Sequence, residues 1–238
     1  MVTTAQSLRE HVALACRILA QEGYADLTLG HVSGRVEGTS TVYIKRKGVA
    51  LDETEPDDVI VLDLEDDAAL TAPGMHLEAV VHTEIYRTRA DVGAVIHGHP
   101  PYATALAATD ASLELLTHDA VLFVDGVPLF DDTTELITEP EQGRAVARVL
   151  GDAKAVLLRN HGVVVVGRDV AWAVLAGCTL ERAARLQAVA SGLGALRPIP
   201  PDVARGMYAA KYHDGLVDEY WQAWLRKLAR SGDGASDS

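Results

Sequence analysis

The sequence predicts an α/β protein with a central, mostly antiparallel sheet flanked by helices. Three observations predict it. Apolar residues recur at helical spacing near both ends of the chain. Many short apolar runs lie between them, bounded by Gly, Pro and Asp. No internal repeat and no long linker divides the chain. With 238 residues, 48% of them apolar, the chain can bury a sizeable core as one domain over residues 1–230.

The elements follow in order. Residues 5–22 carry Leu8, Val12, Ala15, Ile18 and Leu19 on one helical face, ending near Gly23. Residues 28–35 read as a glycine-containing turn. Residues 41–44 read as a strand and 45–48 as a basic loop. Residues 57–63 read as a turn running into a strand. Pro73-Gly74 breaks the chain before helical periodicity over 75–88. Residues 92–97 form an apolar strand, and 102–107 a short helix behind Pro100-Pro101. Residues 119–130 read as strand, turn and strand around Asp125-Gly126. A helix covers 140–150. Strands at 155–158 and 163–166 flank Asn160-His161-Gly162. A long, nearly all-apolar helix spans 170–190, and one or two helices span 203–228.

Bulk properties narrow the function. A formal net charge of −13 disfavours nucleic acid and anionic membrane as partners. No apolar stretch is long enough to span a bilayer, and residues 1–7 show no secretory signal. Cys16 and Cys178 sit in apolar helical patterns and read as buried thiols, which suits a cytoplasmic location. Residues 231–238 are polar and read as a disordered tail.

The chemistry is concentrated in His97-Gly98-His99, at the end of an apolar strand. Alternate strand residues face one side, so both imidazoles can address one object. A third imidazole from another strand would complete a face of three neutral nitrogen ligands. Catalytic divalent metals are held that way, with positions left open for substrate.

Together with Asn160-His161-Gly162, Glu78 and Gly30-His31-Val32-Ser33-Gly34-Arg35, this motif resembles the class II aldolase/adducin family. The resemblance spans roughly residues 7–225. It implies a three-layer fold and a homotetramer with the site at a subunit boundary. It also implies that His97, His99 and His161 bind the metal, whose identity (Zn, Mn, Fe or Co) the ligands do not choose. By the same resemblance Glu78 is the acid/base beside the metal. As a bare residue it also reads as a solvated carboxylate at a helix N-terminus. His82, one helical turn on, either positions Glu78 or fills the helix–sheet interface. His118 stands near the place where the aldolases use a tyrosine from a neighbouring subunit. It is either that proton donor or a plain loop histidine.

The sequence departs from the sugar-phosphate aldolases of the family at three phosphate-cradling elements. The corresponding positions hold Thr28-Leu29-Gly30-His31, Arg46-Lys47-Gly48 and His76-Leu77. His31, Lys47 and His76 are cationic or cationisable and suit a small carboxylate substrate. Ser33 and Arg35 match the family's Ser-x-Arg and are further substrate-binding candidates, although Arg35 could equally brace the loop.

The resemblance therefore implies a metal-dependent lyase. The first expectation is a decarboxylase of a hydroxylated aromatic carboxylate, of the dihydroxyphthalate or hydroxypyridine-dicarboxylate type. The alternatives are a retro-aldol lyase on a hydroxy-keto substrate, a non-haem iron oxygenase on an arylpyruvate, and a non-catalytic adducin-like interaction module.

Overall fold

The computed structural model describes residues 5–233, and its frame is one seven-stranded sheet in the order β3-β2-β1-β4-β7-β6-β5. The strands are β1 (His31–Arg35), β2 (Thr41–Lys45), β3 (Val59–Asp63), β4 (Ala94–Gly98), β5 (Leu129–Phe130), β6 (Ala155–Leu158) and β7 (Gly162–Gly167). All neighbours are antiparallel except β5 and β6, which run parallel. The expected mostly antiparallel α/β fold is therefore what forms.

Helices cover both faces of the sheet. On one lie α1 (Ala5–Leu19), α3 (Pro101–Ala107), α5 (Val170–Leu193) and α7 (Asp214–Asp233), packed on Val32, Ile96, Val163 and Val165. On the other lie α2 (Ala79–Thr88) and α4 (Pro140–Leu150), packed on Val42, Ile44, Val95, Val156 and Val164. Alternation along the strands divides the core this way. Helix α6 (Pro201–Lys211) joins the first layer through buried Ala204. No helix is long and apolar enough to cross a membrane. Cys16 and Cys178 are buried and unbridged, and burial pushes the Cys16 thiol up to about 12.

Four local readings are corrected. Residues 31–35 form strand β1, not a turn. Its alternation is masked because the inward-facing residues on one side are His31 and Ser33. Residues 120–123 form a 3-10 turn, not a strand. A short, fully buried apolar run has no period to separate the two. Helix α2 starts at Ala79, so Glu78 is its N-cap residue rather than a residue within the helix. Helix α7 runs to Asp233, three residues into the segment read as a tail; residues 234–238 lie outside the described residues.

One contact from a distant helix holds the segment that follows the paired histidines. Helix α3 has no side-chain cap of its own behind Pro100. Buried Glu181 of α5 supplies it, accepting hydrogen bonds from the amides of Tyr102 (3.0 Å) and Ala103 (2.9 Å). A carboxylate at a helix N-terminus satisfies free donors and complements the dipole. We expect Glu181→Ala to lower stability by about 2 kcal/mol, read from urea-unfolding midpoints. An unchanged midpoint would show the cap to be dispensable.

Candidate metal centre

Strand pairing assembles the site. Antiparallel pairing of β4 with β7 sets His97 opposite Val164 and Gly98 opposite Val163. The end of β4 thereby meets the start of β7, where His161 projects from the β6–β7 turn. Asn160 adopts a left-handed conformation there (φ 54°), which asparagine tolerates. Gly162 serves a different need. A Cβ on it would lie 2.6 Å from both the Gly98 carbonyl oxygen and the His99 ring, so only glycine permits this approach.

The three rings face one another. Centroids are 5.1 Å apart for His97 and His99, 5.0 Å for His97 and His161, and 5.4 Å for His99 and His161. One nitrogen of each lies within 4.8 Å of the other two. His97 Nδ1 donates to the Val163 carbonyl (3.0 Å), which leaves Nε2 facing the group. That Nε2 is buried and completes no hydrogen bond. His99 Nδ1 is held by Asp26 Oδ2 at 2.9 Å. Carbonyl- and carboxylate-anchored imidazoles are how first-row metal ligands are oriented. An orphaned buried nitrogen among three converging imidazoles fits a divalent cation.

Glu78 stands beside this face. Its Oε2 lies 3.4 Å from His97 Nε2 and 3.5 Å from His161 Nε2, and its Oε1 accepts from the Ile137 amide at 3.0 Å. Burial pushes the carboxyl up. The facing His161 and the Ile137 amide outweigh it and hold Glu78 below the usual carboxylate range. Glu78 is thus an ionised, nearly buried carboxylate.

A cleft of about 200 Å³ opens onto Glu78, His97 and His99. Lys47 stands at its mouth, His31 and His76 line its interior, and Leu29, Leu77 and Leu136 form an apolar wall. The His31 and His76 rings are 4.3 Å apart, and His76 Nε2 is buried without a partner. Burial, then the neighbouring Lys45, lowers His76 to about 4. Two further clefts, of about 260 and 650 Å³, open at the opposite end of the sheet. Charged groups there pair with each other, as Arg89 does with Asp91 and Arg168 with Asp214.

Three candidates are not brought to the cleft. Arg35 lies at the far end of β1, where its guanidinium donates to the carbonyls of Tyr86, Arg89, Ala90 and Val92. It braces the C-terminal end of α2, because unpaired carbonyls there need a donor. Ser33 is fully buried and bonded to His82 and Tyr86, so substrate cannot reach it. His118 is exposed and outside the cleft of its own chain. His82 does not reach Glu78; it bonds His31 (2.7 Å) and Ser33 (2.6 Å). Sequence reasoning missed Asp26 altogether, since nothing in the residues around it marks a partner so distant in the chain.

His31, His76 and His82 are kept neutral chiefly by burial. Their folded-state proton affinities lie below the ordinary histidine value near 6.5. The unfolded chain therefore binds more protons as pH falls from about 6.5 to 4, and stability drops across that window. His76 alone contributes a loss of roughly 3 kcal/mol once fully protonated. Urea-unfolding midpoints of chelator-treated protein across pH 7.5–4.5 check this. A flat profile above pH 5 would contradict it.

The chain is similar to known proteins of one family. Residues 10–188 match the family described as Class II Aldolase and Adducin N-terminal domain. A 3,4-dihydroxyphthalate decarboxylase from Rhodococcus jostii is 33% identical over 96% of this chain and 98% of its own. A 4-hydroxy-3-prenylphenylpyruvate oxygenase/4-hydroxy-3-prenylbenzoate synthase from Streptomyces roseochromogenus is 41% identical over 52% of this chain. That match spans 45% of the relative, about half its length. Among solved structures, an aldolase II superfamily protein from Pseudomonas syringae superposes with a TM-score of 0.83 at 26% identity, covering 95% of this chain and 93% of its own. The chain belongs to the class II aldolase/adducin family.

Proposed function

We propose that the protein is a metal-dependent decarboxylase of a hydroxylated aromatic carboxylate. The observation that carries this reading is the cleft wall. Leu29 and Leu77 occupy segments where the family's sugar-phosphate aldolases carry phosphate-binding hydroxyls and amides, and both line the cleft. An apolar wall in one cleft with His31, His76 and Lys47 suits a flat ring bearing carboxylates. The near full-length similarity to a dihydroxyphthalate decarboxylase supports the same substrate class.

His97, His99 and His161 would hold the cation, with Asp26 and the Val163 carbonyl fixing two of the rings. When bound, the metal supplies Lewis-acid charge that stabilises the electrons left behind as carbon dioxide departs. Glu78, held ionised, accepts the proton of the substrate's ortho hydroxyl at Oε2. The carbon–carboxylate bond breaks, its electron pair stays on the ring carbon, and Glu78 returns the proton there. His31, His76 and Lys47 bind a second carboxylate. Leu29, Leu77 and Leu136, which line the cleft, offer the ring an apolar surface. In a homotetramer, His118 of a neighbouring copy would reach this cleft as an alternative proton donor.

The local similarity to a prenylphenylpyruvate oxygenase favours a second reading, an iron-dependent oxygenase of an arylpyruvate. Elemental analysis of anaerobically purified protein, followed by a panel of ortho-hydroxy aromatic acids, separates the two. We expect about one metal per chain and carbon dioxide release without oxygen uptake. His99→Ala is expected to lose both metal and turnover while its circular dichroism stays unchanged. Oxygen consumption with ferrous iron and an arylpyruvate would favour the second reading. Release of carbonyl fragments would indicate a retro-aldol lyase, and a fold purified without metal an interaction module.

Asp26→Ala removes the carboxylate behind His99. We expect metal affinity to fall about 10-fold or more, read by competition with a chromogenic chelator. Unchanged affinity would show that Asp26 does not orient the ligand.

A further inference from the structure

Behind the cleft, four polar side chains form a single file through the core. His31 Nδ1 lies 2.7 Å from His82 Nε2. His82 Nδ1 lies 2.6 Å from Ser33 Oγ, which lies 2.8 Å from Tyr86 Oη. His82, Ser33 and Tyr86 are sealed from solvent, and His31 alone opens onto the cleft. Each imidazole and each hydroxyl has one proton to give, and a Ser33 hydroxyl accepting from both sides would leave its own buried proton without a partner, so the bonds run in one direction.

The far end decides the direction. If the bonds ran outward from His31, the buried phenol O–H would end with no acceptor among the described residues. A buried hydroxyl without an acceptor is strongly disfavoured. The bonds therefore run inward. Tyr86 donates to Ser33, Ser33 to His82 Nδ1, and His82 Nε2–H to His31 Nδ1. His31 keeps its proton on Nε2, the nitrogen left for the cleft.

We propose that His82 is a positioning residue: with Ser33 and Tyr86 it locks His31 as the Nε2–H tautomer, a neutral donor aimed at an anionic oxygen of the substrate. This divides labour among five converging groups. His31, Glu78 and His97 also lie within ligand distance of one another. A protonated Nε2 has no lone pair for a cation, so His31 is withdrawn from that set. The cation is left to His97, His99 and His161, and His31 addresses the substrate. His76 Nε2, unpartnered beside it, completes the same anion-facing wall. The proposal rests on the metal-lyase reading only for what the donor binds; the tautomer itself does not.

Long-range proton–nitrogen spectra of zinc-loaded protein with ¹⁵N-labelled histidine test it directly. The wild type is expected to show His31 as Nε2–H, and Ser33→Ala a mixture of tautomers with zinc content unchanged. Phthalate, an aromatic dicarboxylate probe, is expected to bind about 10-fold more weakly to Ser33→Ala and to His82→Leu. His82→Gln, whose amide N–H can replace the imidazole donor, should retain most of the affinity. His31 found as Nδ1–H in the wild type would overturn the proposal, as would phthalate binding equally well to His82→Leu and His82→Gln. The expected tautomers without any carbon dioxide release from the acid panel would instead overturn the decarboxylase reading and leave the lock standing.

Discussion

The antiparallel pairing of β4 with β7 is the constraint on which the site depends. It brings the end of one strand against the start of another distant in the chain, so that His97, His99 and His161 meet across two hydrogen-bonded neighbours. The ladder sets the spacing between the imidazoles more tightly than any side-chain contact could. Gly162 is the point of closest approach, where backbone packs on backbone and on the His99 ring. A side chain there would push β7 away and separate the rings. On the other side, β1 pairs with β4 so that His31 is the register partner of His97. Three neighbouring strands thus deliver one row of imidazoles to one end of the sheet.

Burial then sets the electrostatics. A cluster of histidines held in water would be partly protonated and mutually repulsive. Here desolvation keeps His31, His76, His82 and His99 neutral, and neutral imidazole is the form that binds metal or donates a directed hydrogen bond. Glu78 goes the other way. It is buried too, but nitrogen groups surround it, and it stays ionised. One sheet end therefore holds an ionised carboxylate beside several imidazoles that carry no charge.

The two faces of the sheet divide the remaining tasks. The α1/α3/α5 face supplies rigidity, including the Glu181 cap that fixes the chain just after His99. The α2 face supplies function, with Glu78 at its N-cap and His82 and Tyr86 on the helix body reaching β1. Arg35 ties the other end of α2 to the loop before β4. The helix is thus fastened at the end away from the chemistry.

What the sequence alone determined was the fold class, most element positions and the identity of the clustered histidines. Periodicity reads helices such as 140–150 to the residue, because an amphipathic face and a capping residue are local properties. His-x-His at a strand end and Asn-His-Gly at a turn are local too, and family resemblance linked them. Only the tertiary structure decided which polar residues face the cleft and which are locked inside. Ser33 and Arg35 share a strand with His31, yet one is sealed in the core and the other caps a helix at the far end. Asp26, His82 and Tyr86 acquire their roles through partners 49 to 73 residues away. Spacing along the chain carries no record of such contacts; strand register and helix docking create them.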